Sequence, residues 1–126
     1  MRGAVLVTWP EHEETSAAID GALELAASGD VTPEALETLG GGWVGEEALA
    51  IGLCCALVAP DVRTGLLLAV NHGGDSDSTG SIAGNLLGAM HGLDALPRDL
   101  LDGLEGRDVI ERLARELADA CPTPSS

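Results

Sequence analysis

Nowhere in these 126 residues is there a Phe or a Tyr, although 45% of the chain is hydrophobic. A core must therefore be assembled from Leu, Ala, Val and Ile, with Trp9 and Trp43 as its only large plates. Such a core suits closely packed helices. A chain of this length carries one domain rather than two. The expectation is a single helical domain over residues 1–120, followed by a disordered Pro- and Ser-rich tail at 121–126.

The apolar pattern supports helices throughout. Ile19, Ala22, Leu23 and Ala26 recur at helical spacing between Glu14 and Ser28, and Gly29 supplies a stop. Thr32, Pro33 and Glu34 read as the cap and first turn of a short helix that ends in Gly40-Gly41-Gly42. Glu46 and Glu47 open a helix reaching Val58 that is apolar on every face from Ala48 on, interrupted only by Gly52, which predicts a central, buried element. Val62 to Asn71 fits either a buried helix capped by Asp61 or a strand, and helices on both sides favour the helix.

A further helix is expected from Gly80 to about His91, with glycines at 80, 84, 88 and 92. Each interior glycine costs about 1 kcal/mol relative to Ala. The ridge therefore asks for close approach to a neighbouring helix or a ligand. Pro97 to Leu104 reads as a short helix, and Gly106 to Ala120 as an amphipathic one with Ile110, Leu113, Ala114 and Leu117 on one face. The fold class is all-α, a compact orthogonal helical bundle.

The formal net charge is −15, and all six basic residues are Arg. So acidic a surface repels phosphate backbones and anionic lipid, which argues against nucleic-acid and membrane-surface binding. No apolar run approaches the roughly 20 residues a membrane span needs, and the interrupted start, Met1 to Pro10, does not read as a signal peptide. Cys54, Cys55 and Cys121 form no even disulfide set and read as small buried residues in a reducing compartment. The expected location is the cytoplasm.

Chemistry concentrates between His72 and Thr79. Asp75 and Asp77, with Ser76, Ser78 and Thr79 beside them and Gly73 and Gly74 to turn the backbone, bring several oxygens to one point. Hard divalent cations bind such all-oxygen sets. The same turn also reads as a cap, with Asp77 or Ser78 capping a helix that starts near Gly80 and Asp75 solvated; capping and metal binding are compatible. An EF-hand loop starting at Asp75 fails, because its twelfth position is Leu86 where a bidentate Glu is required. The Asp-x-Asp-x-Thr nucleophile of haloacid-dehalogenase-like phosphatases sits directly at the end of a buried strand. Here Asn71 to Gly74 intervene and helical patterns follow, which disfavours that reading.

The stretch from Val70 to Ala89, Val-Asn-His-Gly-Gly-Asp-Ser-Asp-Ser-Thr-Gly-Ser-Ile-Ala-Gly-Asn-Leu-Leu-Gly-Ala, closely resembles the C-terminal signature of the ADP-ribosylglycohydrolase family, of the dinitrogenase-reductase-activating type. Gly40 to Ala50, Gly-Gly-Gly-Trp-Val-Gly-Glu-Glu-Ala-Leu-Ala, resembles a second family block at the same distance upstream. The resemblance runs from Glu11 to Ala118 and covers the C-terminal part of a longer, all-helical family domain. It implies metal-assisted hydrolysis of an N- or O-glycosidic ADP-ribosyl bond, with Mg²⁺ (or Mn²⁺) held between an N-terminal Thr-Asp-Asp cluster and the C-terminal Asp-x-Asp-Thr cluster.

By that resemblance Asp75 and Asp77 are catalytic residues and metal ligands, joined by Ser78, where Thr is commoner, and by Thr79. His72, Gly73 and Gly74 are candidates to touch ADP-ribose or an ADP-ribosylated substrate. No Thr-Asp-Asp occurs in the chain. The sequence thus offers half of a binuclear site, the other half being lost by truncation, encoded separately or supplied by a partner chain as a complementary N-terminal half, and self-association is expected through apolar surface left uncovered. Two other readings stand beside it: an inactive remnant that binds metal or ADP-ribose, and a helix-packing or oligomerisation module built on the glycine ridge.

Overall fold

A computed structural model describes residues 12–121, and every regular element among them is a helix. Contacts divide the chain into two compact units, one ending at Ala95 and the other beginning at Leu96. The first eleven residues, Trp9 among them, and most of the expected C-terminal tail lie outside the described residues.

The first unit is organised around one helix that has no polar face. The helices α1 (Glu13–Ser28), α2 (Pro33–Leu36), α3 (Gly45–Val58), α4 (Val62–Val70) and α5 (Ser76–His91) follow one another, with 3₁₀ turns at Glu37–Leu39 and Leu93–Ala95. Helix α3 packs against α1, α4 and α5. Its Ala48, Ala50, Ile51, Cys54, Cys55 and Ala56 are all buried, as its uninterrupted apolar run requires. Burial pushes the Cys54 thiol up to about 11, and burial with the neighbouring Cys54 pushes Cys55 up to about 12. Cys121, expected inside, is exposed.

Among the described residues the core holds no aromatic ring. Leu36, Ile51, Val62 and Leu87 are its largest fully buried apolar side chains, and Trp43, expected as a core plate, is 73% exposed. Close approach replaces bulk. A Cβ on Gly52 of α3 would lie 2.6 Å from the Ile82 Cγ2 and 3.1 Å from the Ala83 backbone N of α5, and one on Gly65 of α4 would lie 2.6 Å from the Leu87 Cδ1.

Local chemistry sets the boundaries. The Thr32 hydroxyl accepts the Ala35 amide at 3.1 Å, capping α2. Asp61 accepts the Thr64 amide at 2.8 Å, which makes the stretch after Pro60 a helix rather than a strand. Gly29, with φ of 77°, closes α1. Helix α5 begins at Ser76, not near Gly80, so Asp77 and Ser78 lie in its first turn and Asp75 occupies the capping position. The reason is that the Thr79 amide already donates to the Asp75 carbonyl at 3.2 Å, closing a helical turn ahead of Gly80.

The glycine ridge divides by position. Gly80 and Gly84 face Val70 and Leu66 of α4, the close approach expected, and Gly92, with φ of 78°, ends the helix. Gly88 faces open space among the described residues.

The second unit holds α6 (Arg98–Asp102) and α7 (Arg107–Ala120). Arg107 bridges Asp102 at 2.9 Å and Glu111 at 2.6 Å, and Arg115 reaches Glu111 at 3.0 Å. Ile110, Leu113 and Leu117 share a helical face, as the spacing predicts, and are exposed. No helix among the described residues is long and apolar enough to cross a membrane.

Two glycines of the same type in the same kind of element should respond oppositely. Gly52→Ala should lower stability by about 1–3 kcal/mol through overpacking against α5, and Gly88→Ala should raise it by about 0.5–1 kcal/mol. Thermal and urea denaturation followed by circular dichroism check both.

Candidate metal centre

Asp75 is placed by a contact between two distant stretches of chain. Its amide donates to the Gly41 carbonyl at 2.8 Å. That approach requires Gly74, since a Cβ there would collide with the Gly41 backbone. The glycine loop is in turn held by Glu47 of α3, whose Oε2 accepts the amides of Gly41 at 3.0 Å and Gly42 at 3.1 Å. Glu47, expected simply as an acid favourable at a helix start, is therefore the anchor of the loop that receives Asp75.

A second chain of hydrogen bonds runs beneath the turn. The Gly74 amide donates to His72 Nδ1 at 3.0 Å. An amide only donates, so Nδ1 is the bare nitrogen and the ring proton sits on Nε2. Nε2 then donates to the Thr79 hydroxyl at 2.9 Å, and that hydroxyl donates to the Ala69 carbonyl at 2.7 Å. Ala69 belongs to the last turn of α4, where carbonyls have no helical partner. Thr79 thus satisfies an orphan acceptor of one helix while opening the next.

His72 and Thr79 are both buried, at 6% and 0% exposure. His72, a candidate to touch substrate, has both ring nitrogens engaged inside the protein, and Thr79, a candidate ligand, spends its hydroxyl proton on Ala69. Gly73 donates its amide to Glu37 Oε1 at 3.0 Å, a partner nothing in the sequence pattern marks.

What remains turned outward is the pair of carboxylates. Asp77 is exposed, and Asp75 and Ser78 are half-buried. Hydrogen bonding with the Asp77 and Ser78 side chains holds the Asp75 carboxyl below its ordinary value. Two carboxylates this close repel unless a proton or a cation lies between them. The exposed donor set is all oxygen, which fits a hard divalent cation. Among the described residues no group of three or more His, Cys, Asp or Glu side chains is placed to hold a metal ion, so Asp75 and Asp77 have no third such side chain clustered with them there.

Thr79→Val keeps the shape and removes the hydroxyl, leaving the Ala69 carbonyl and His72 Nε2 buried without partners. We expect a loss of about 1–3 kcal/mol in stability, read by chemical denaturation, with Thr79→Ser losing less.

A sequence profile of the ADP-ribosylglycohydrolase family matches residues 2–126. An ADP-ribosyl-dinitrogen reductase glycohydrolase of Rhodospirillum rubrum is 40% identical over 63 residues, which are 50% of this chain and 21% of that protein. An ADP-ribosylarginine hydrolase of Pseudomonas putida is 37% identical over 57 residues, 45% of this chain and 15% of the relative. A protein of Archaeoglobus fulgidus is 35% identical over 83 residues, 66% of this chain and 27% of the relative. The chain therefore spans only a minor part of these relatives' lengths, and no solved structure matches it. By the profile that covers nearly all its residues, the chain belongs to the ADP-ribosylglycohydrolase family.

Proposed function

We propose that this chain contributes the Asp75 and Asp77 side of a Mg²⁺ or Mn²⁺ centre that hydrolyses an N- or O-glycosidic ADP-ribosyl bond. The observation that carries the reading is that Asp75, at the capping position of α5, and Asp77 and Ser78, in its first turn, bring exposed and half-buried oxygens to one helix start. A cation is the natural neutraliser of two acidic side chains so near in sequence.

The ligands in this reading are Asp75, Asp77 and Ser78. When bound, the cation orients hydroxyls of the ribose and stabilises charge as the glycosidic bond breaks. The carboxylates of Asp75 and Asp77 favour the positive character that develops at the anomeric carbon. His72 and Thr79 hold the turn from beneath, and Glu47 fixes it from the side through Gly41. The substrate is an ADP-ribosylated protein side chain, a class consistent with the names of the relatives.

The missing ligands come from a complementary N-terminal half or from another copy. A second reading, a module that binds metal or ADP-ribose without turnover, is favoured by the lack of a third clustered ligand among the described residues. Metal-dependent release of ADP-ribose from ADP-ribosylated arginine by the purified chain excludes the inert module, which releases none with or without metal.

Calorimetry tests the shared core of both readings. One Mn²⁺ or Mg²⁺ should bind, and replacing Asp75 and Asp77 with Ala should weaken binding at least about tenfold, or 1.4 kcal/mol. No binding at millimolar metal, or binding indifferent to the double substitution, would sink the proposal.

A further inference from the structure

One large exposed side chain of the loop that receives Asp75 lacks an assigned task, Trp43. It lies at the end of the glycine loop, just before α3, and is 73% exposed. Its indole folds back over Gly41: a Cβ at that position would sit 2.5 Å from the Trp43 Cδ1 and 2.7 Å from Nε1. Gly41 is the residue whose carbonyl receives the Asp75 amide. The ring is therefore fastened within one peptide unit of the candidate metal turn, and the core described above closes without it.

An exposed aromatic ring over Gly41, whose carbonyl holds the Asp75 amide, suits a flat cation. The indole face attracts positive charge, a guanidinium stacks on it, and the acidic surroundings add to the attraction. The chain's net charge of −15 makes a cationic acceptor a better match than an anionic one. Reach selects the same group. In an ADP-ribosylated arginine the guanidinium is bonded directly to the carbon at which hydrolysis occurs, whereas the adenine lies beyond a diphosphate and a second ribose. A plate fastened beside Asp75 meets the guanidinium first.

We infer that Trp43 is a specificity-determining residue that stacks on the guanidinium of an ADP-ribosylated arginine, an inference that rests on the ADP-ribosyl reading above. Trp43 selects the acceptor, and the ADP-ribose part is held elsewhere.

The test uses the two products separately, so turnover does not intrude. Trp9→Phe leaves Trp43 as the only indole. With Mg²⁺ and ADP-ribose present, agmatine should change the emission of Trp43 and saturate, and n-butylamine at equal concentration should not. By calorimetry, Trp43→Leu, shown by circular dichroism to be folded, should bind ADP-ribose as the parent does and agmatine about tenfold more weakly. Trp43→Phe should retain most of the agmatine affinity. Unchanged agmatine binding in Trp43→Leu overturns the inference, as does a loss that falls on ADP-ribose, which would make Trp43 an adenine plate. Failure of the parent chain to bind ADP-ribose at all overturns the functional reading itself and this inference with it.

Discussion

Gly41 and Asp75 stand far apart in the sequence and are joined by one hydrogen bond, from the Asp75 amide to the Gly41 carbonyl. That contact ties the loop before the central helix to the turn that opens α5. It is made possible by two glycines, one at 74 that lets the backbones meet and one at 41 that leaves room for the indole. Glu47 secures one side of it, and the path from Gly74 through His72 and Thr79 to Ala69 secures the other. The backbone that carries Asp75 and Asp77 is thereby fastened from both sides. Like charges do not assemble unaided, so the rest of the fold must hold them.

Much of this was legible in the residues. The uninterrupted apolar run from Ala48 to Ala59 marked α3 as central because a helix without a polar face has nowhere else to go. Thr32 and Asp61 announced caps that the structure contains. The two glycine-rich blocks were visible as separate motifs, but their mutual docking was not, since a backbone contact leaves no trace in side-chain pattern. For the same reason the start of α5 was misplaced: the glycine at 80 reads as a boundary, whereas the Thr79 to Asp75 bond had already closed a turn. His72 and Thr79 read as polar residues near a site, and their burial follows from completing one another's hydrogen bonds, which only the tertiary arrangement reveals. Trp43 was read as a core plate from composition alone. In the structure, the glycines at 52 and 65 bring helices close enough that the core needs no ring.

The charge distribution gives the candidate centre its character. A strongly acidic chain repels anionic ligands unless cations intervene, and the all-oxygen set at the start of α5 is suited in kind to a hard one. The family profile covers nearly all of the chain, while the chain spans only a minor part of the length of the relatives it matches.

The central claim is that the cation sits at the Asp75 turn rather than spreading over an acidic surface. Titrating the isotopically labelled chain with substoichiometric Mn²⁺ and following paramagnetic broadening of backbone amides tests it most directly. The account predicts selective loss of signals from Gly74 to Thr79 and from Gly41 to Trp43, abolished when Asp75 and Asp77 are replaced by Ala. Broadening distributed evenly over the acidic residues, or centred away from α5 and the glycine loop, would contradict it.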